Sequence, residues 1–233
     1  MLRKYLEVLV FDQREPKMKK LFHKYLLCLR RSNLNRRQFA ALIVSSTVAF
    51  LLGGLRKTAS AYRRLRSYPI RSIEGTQPFN PEAWRLKVDG LVENEKEFTY
   101  QEILGLSRMT QVKNFVCVEG WGLDDQKWEG FHLRQVFDQV GIKPEAKYVT
   151  FHATGGEYSD SLTLEEALEP ETMLAYKLNG EPLRPEQGRP LRLIVPRMYA
   201  YKGVKWVERI TLEKEQHIGY WEKYGYPEDA SIE

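Results

Sequence analysis

Between residues 84 and 212 the sequence breaks into short segments with strand-like alternation, interrupted by only three brief helical patterns. Residues 84–92 (WRLKVDGLV) alternate around a turn at Asp89-Gly90, and 111–118 (QVKNFVCV), 147–153 (KYVTFHA), 172–178 (TMLAYKL), 191–196 (LRLIVP) and 204–212 (VKWVERITL) supply further strands. Thr99 with Glu102 and Thr163 with Glu166 form capping boxes that open the helices YQEILGL and LEEAL. In HLRQVFDQVG, Leu133, Val136, Phe137 and Val140 share one helical face and Gly141 supplies the stop. Asn179-Gly180 marks a tight turn, whereas TGGEYSDS and the proline-rich run up to Pro190 read as loops. Strands and helices do not alternate in a βαβ rhythm. The pattern therefore predicts an α+β domain with a mixed β-sheet and short helices, not a doubly wound parallel sheet. No internal repeat or linker divides it, and residues 62–233 read as one domain.

The charge is distributed unevenly. The 233-residue chain carries a formal +5, yet residues 1–61 hold 13 Lys/Arg against 3 Asp/Glu, so the remainder is net acidic. Nothing after residue 62 supplies the concentrated Lys/Arg run that phosphate binding needs, which argues against a nucleic-acid partner. The first 61 residues form an N-terminal extension and signal. Arg36-Arg37 precede an apolar stretch at 39–55, then Arg56-Lys57 and an A-x-A pattern at Ala59-Ser60-Ala61. At about 17 residues the stretch is at the short end for a membrane span. The order of features resembles a twin-arginine signal, which predicts export to the periplasm or another extracytoplasmic space. Both a cleaved leader and an uncleaved membrane anchor stay open, and Met18 offers an alternative start.

Cleavage after Ala61 would remove Cys28 and leave Cys117 as a lone thiol. In an oxidising compartment such a thiol is either buried and inert or occupied by something. The histidines His23, His132, His152 and His217 lack the spacing of a zinc site, and there is no G-x-S-x-G or P-loop. A cysteine nucleophile paired with His152 or His132 remains open, without a local signature. TGGEYSD is a weak phosphate-nest pattern, because it does not open directly into a helix.

CVEGW (117–121), the pair Trp128 and Gly130, AKYVTFHA, SLTLEEAL, LAYKLNGEPL, GRPLRLIVP, YKGVKWV and GYWEKYGY occur in one order. In that order the chain resembles the sulfite oxidase family of molybdopterin-dependent oxidoreductases, especially short bacterial members such as periplasmic methionine-sulfoxide reductase catalytic subunits. The resemblance runs from about Tyr68 to Tyr226 and implies that fold, a molybdenum-molybdopterin cofactor, and two-electron oxygen-atom transfer. It implies Cys117 as the metal ligand and catalytic centre, which suits a soft thiolate donor. It further implies cofactor contacts at Arg192, Gly203, Val204 and Lys205, with weaker matches at Thr154, Gln187, Arg71 and Ser72. Trp121 and Trp128 are expected either to wall the site or to serve as core aromatics.

The sequence also departs from the pattern. Gln187 stands where the reductase has Asn, Ala153 aligns with its threonine and leaves Thr154 as the nearest hydroxyl, and IRSIEG matches weakly. The arginines that follow the cysteine in sulfite oxidases proper are replaced by EGWGLDD, placing Glu119, Asp124 and Asp125 near the mouth. Oxyanions such as sulfite are stabilised by fixed positive groups, so these acids argue against that substrate; Arg197 is a remaining candidate cation. Haem and dimerisation domains are absent from the sequence, so the family implies a membrane cytochrome or quinone-linked electron partner and a small-molecule or protein sulfoxide as substrate. A binding or accessory protein that keeps the fold without metal is the alternative.

Overall fold

The computed structural model describes residues 70–232. The leader, Cys28, His23, the Met18 start and the boundary at residue 62 lie outside the described residues.

Ten strands and three short α-helices form the domain, namely β1 (Arg85–Gly90), β2 (Lys96–Thr99), α1 (Tyr100–Gly105), β3 (Met109–Val116), β4 (Gly122–His132), α2 (Arg134–Val140), β5 (Tyr148–Ala153), β6 (Ser159–Thr163), α3 (Leu164–Ala167), β7 (Met173–Leu178), β8 (Glu181–Pro182), β9 (Arg192–Ile194) and β10 (Val207–Glu213). They build two five-stranded sheets. The first has the order β2-β1-β10-β5-β6; the second runs β3-β4-β7-β8, with β9 also paired to β7. The first sheet is mixed because β1 and β10, the first and last strands, pair in parallel, while every other pairing is antiparallel. The second is antiparallel throughout. The α+β architecture with short helices follows the sequence expectation.

Local signals explain the short elements. Both capping boxes form: Thr99 and Thr163 each accept from the N–H three residues on, and Glu102 and Glu166 return the bond to the cap N–H. Asn179 and Gly180, at φ 55° and 89°, make the two-residue turn between β7 and β8. Two segments differ from the sequence reading. The last three residues of TGGEYSDS begin β6, and residues 122–132 form β4, the longest strand among the described residues, although they lack β-branched residues. Its alternation is obscured by a bulge in which Asp124 and Asp125 oppose the single Asn114. Asp125 sits at φ 54°, and its N–H donates to the Asn114 side chain. This bulge lies just before the end of β3, the strand that leads to Cys117.

The main core gathers Leu86, Val88, Phe98, Phe151, Ile210 and Leu212 from the first sheet with Val136, Phe137 and Val140 of α2. Each fully buried side chain of this size contributes about 1.5–3 kcal/mol. A smaller cluster on the second sheet joins Trp128, Met173, Ala175, Leu178, Leu183 and Ile194, with Phe115 packed against it. Trp128 is thus a core aromatic.

Candidate active site

Strand β3 stops at Val116, and Cys117 is the first residue beyond it, held in a tight turn. Its N–H donates to the Trp121 carbonyl at 2.8 Å, and its carbonyl accepts from Gly120 at 3.1 Å. The thiol is half-buried and unpaired, and burial pushes it above its ordinary pKa. Glu119 Oε2 lies 4.0 Å from Sγ. That carboxylate also accepts from the Trp121 indole at 3.0 Å and from Arg71, whose Nη2 approaches to 3.0 Å. The indole bond, then the arginine, hold the Glu119 carboxyl below its ordinary range.

Arg71 connects two parts of the site. Its side chain faces Glu119, while its carbonyl accepts from Lys205 Nζ at 2.6 Å. The Lys205 ammonium finds one further acceptor, the Glu186 carbonyl at 3.3 Å, and lies 4.3 Å from the Trp206 ring. Lys205 pairs across an isolated antiparallel bridge with Arg192. The Arg192 guanidinium donates to the Gln187 carbonyl at 3.3 Å and stacks 4.5 Å from the Phe115 ring centre, while its buried Nε has no hydrogen-bond partner among the described residues. Phe115 is two residues before Cys117. The contacts therefore close a ring from the cysteine through Glu119, Arg71, Lys205 and Arg192 back to the cysteine's own strand.

This ring is electrostatically incomplete. Desolvation pushes Lys205 down to about 7, with Arg192 adding repulsion, and pushes Arg192 down to about 10. Two partly buried cations side by side, served by backbone carbonyls and an aromatic face, are costly unless an anion joins them. An anionic, phosphate-bearing ligand with polar ring edges fits this donor set, and the orphaned Arg192 Nε is one of the donors it would satisfy. Among the described residues no group of three or more His, Cys, Asp and Glu could hold a metal. A metal at Cys117 would therefore draw its other donors from a cofactor.

The remaining expected residues take differing places. Val204 is fully buried, and its carbonyl accepts from the Leu193 N–H. Gly203 is needed for packing: a Cβ there would sit 2.9 Å from the Leu193 carbonyl oxygen. Thr154 Oγ1 donates to the Trp206 carbonyl at 3.1 Å, beside Lys205. Gln187 uses its side-chain oxygen on the Arg184 N–H and its carbonyl on Arg192. Ser72 is exposed and closes a local turn with Gly75 and Glu74. Arg197 is bound by Glu166 and Glu169 at 2.9 and 2.7 Å, which neutralises it as a free cation. His132 engages the Glu169 carbonyl and the Arg134 N–H, and His152 faces Thr211, so both are engaged away from the thiol. The TGGEY loop holds an anion of the chain itself: the Glu74 carboxylate accepts from the Tyr158 N–H and fills the space beside Gly155.

Sequence reasoning missed Phe115 as the platform for Arg192, although its two-residue offset from Cys117 is the strand repeat. It also missed Glu74, whose partner Tyr158 lies 84 residues away in sequence.

Comparison with known proteins bears on the family and the fold. The chain is 38% identical over 143 residues to the uncharacterized oxidoreductase YuiH of Bacillus subtilis, covering 61% of this chain and 72% of that protein. It is 29% identical over 170 residues to the protein-methionine-sulfoxide reductase catalytic subunit MsrP of Campylobacter jejuni, covering 66% and 57%. It is 31% identical over 164 residues to a putative protein-methionine-sulfoxide reductase subunit, YedZ1, of Azospira oryzae, covering 69% and 62%. The fold superimposes on the sulfane dehydrogenase SoxCD of Paracoccus pantotrophus with a TM-score of 0.57 and 26% identity, covering 61% of this chain and 41% of that one. The chain thus spans less than two thirds of three of these four relatives. The model of the oxidoreductase molybdopterin-binding domain matches residues 74–221, and the chain belongs to that family of the sulfite oxidase type.

Proposed function

We propose that this chain is the catalytic unit of an exported molybdopterin oxidoreductase in which Cys117 binds molybdenum and the substrate gains or loses one oxygen atom. The carrying observation is the pair of partly buried cations, Arg192 and Lys205, which form no ion pair with a carboxylate among the described residues and stand in one contact ring with the cysteine. Arg192 and Lys205 would hold the anionic end of the cofactor. Gly203 and Val204 would set its backbone contacts, Gln187 and Thr154 flank it, and Arg71 and Ser72 lie on the segment that covers it. When bound, the molybdenum supplies the two-electron change that accompanies oxygen transfer. In the reducing direction a sulfoxide takes up two electrons and two protons, its sulfur–oxygen bond breaks, and a thioether and water leave. The electrons come from a separate carrier, a membrane cytochrome or quinone-linked subunit; the relatives named as subunits support such a division of labour. A small-molecule or protein sulfoxide is the substrate class this reading favours.

Export rests on the leader: Arg36-Arg37, the apolar stretch and Ala59-Ser60-Ala61 support the twin-arginine route, with residues 62–233 as the mature domain or its anchored form. The test is molybdenum and pterin analysis of protein from a molybdopterin-competent host. Wild type should carry about one molybdenum per chain and Cys117→Ser almost none, because the ligand must be a thiolate. A folded, metal-free wild type would instead favour the accessory-protein alternative.

A further inference from the structure

We propose that Glu119 determines specificity: its carboxylate repels oxyanions from the Cys117 mouth and sequesters Arg71, so that uncharged oxygen donors are preferred. The inference rests on the reading of Cys117 as the metal-binding thiol.

Three observations carry it. The carboxylate is the side-chain group 4.0 Å from the sulfur, and it is fixed from two sides, by the Trp121 indole and by the forked Arg71 contact at 3.0–3.2 Å. Donors on both sides hold it oriented. Second, the cations around the site have other work: Arg71 is paired with Glu119, Arg197 with Glu166 and Glu169, and Arg192 and Lys205 are assigned to the anionic end of the cofactor. Third, the bulge that follows adds Asp124 and Asp125, both exposed and of the same sign.

An oxyanion needs fixed positive charge, and here the charged group in contact with the sulfur, at 4.0 Å, is a carboxylate. Arg71 is 66% exposed at its side chain and would be free to turn toward a bound anion if Glu119 released it. An uncharged sulfoxide or N-oxide presents only a dipole and loses little. A unit charge several ångströms from a carboxylate in a half-solvated mouth should bind about tenfold to a hundredfold more weakly.

The test uses holoenzyme of the wild type, Glu119→Gln, and Glu119→Gln combined with Arg71→Met. Sulfate, an unreactive oxyanion, is titrated calorimetrically, and molybdenum is quantified in the same batches. The ratio of kcat/KM for sulfite to that for dimethyl sulfoxide gives a second readout. Glu119→Gln should bind sulfate at least about tenfold more tightly and shift the ratio toward sulfite, and the double variant should return most of the gain. A molybdenum-loaded Glu119→Gln with unchanged sulfate affinity overturns the inference while leaving the metal-site reading intact. A double variant that keeps the whole gain overturns the part assigned to Arg71. If neither Glu119→Gln nor Glu119→Ala retains molybdenum, Glu119 serves loading and the specificity role is overturned. Wild type without molybdenum removes the parent reading, and this one falls with it.

Discussion

The Arg192 guanidinium lies 4.5 Å from the centre of the Phe115 ring, joining the strand that leads to Cys117 directly to the strand that carries the site's buried cation. A ring face stabilises a cation without neutralising it. The guanidinium is held in place, yet it remains available to an anion.

Phe115→Leu should therefore keep most of the apolar packing and lose the ring. We expect a loss of about 1 kcal/mol in urea denaturation, in the range of a partly desolvated cation–π contact. We also expect a larger fractional loss of bound molybdopterin, read by fluorescence of the released, oxidised pterin. Equal stability and full cofactor content would show that the stacking does not position Arg192.

Lys205 should give the cofactor-free protein a distinctive pH dependence. Its folded pKa is about 7, against an ordinary 10.5. Below pH 7 both folded and unfolded chains carry the proton, and the cost of the buried charge is fully present. Between about 7 and 10.5 only the unfolded chain carries it, so raising the pH relieves that cost and favours the folded state. The slope is at most about 1.4 kcal/mol per pH unit. Lys205→Met should flatten this part of the stability profile, and bound cofactor should flatten it in the wild type by restoring the proton. Denaturant midpoints measured across the neutral-to-alkaline range check both.

A second buried cation has the opposite environment. Lys202 Nζ contacts Asp160 and Glu222, each at 2.6 Å, and all three side chains are at most 2% exposed. The triad ties the loop before Gly203 to the C-terminal segment. Lys202→Met would leave two buried carboxylates facing each other, and we expect a loss of about 3–5 kcal/mol. Converting all three residues to apolar ones of similar size should recover much of it, as urea titration would show.

Gly188 stands at φ +107°, and a Cβ on it would lie 3.0 Å from Lys205 Cβ. Gly188→Ala should cost about 1–3 kcal/mol through backbone strain and the displaced lysine stem. The same variant should lose molybdopterin because Lys205 moves. Thermal melting together with pterin content would separate the two effects.

The features legible in the sequence are those whose partners are near in the chain. Thr99 with Glu102, Thr163 with Glu166, and Asn179 with Gly180 each act over four residues or fewer, so their geometry follows from local sterics and hydrogen bonding. Strand β4 is not legible in that way. Its residues have weak strand preference, and it is held by β3 and β7 on either side and bent by the Asp124–Asp125 bulge. Tertiary pairing outweighs propensity there.

By itself the sequence determined the α+β class and the locally capped helices and turns, and it put forward Cys117, Arg192 and Lys205 as candidates. Only the tertiary structure decided what those side chains face. It turned Arg71 toward Glu119, engaged Arg197 with Glu166 and Glu169, filled the TGGEY loop with Glu74, and left Arg192 Nε without an acceptor among the described residues. The physical reason is that desolvation and charge pairing depend on distance in space, and residues brought together from 48 or 84 positions apart leave no periodic trace in the chain.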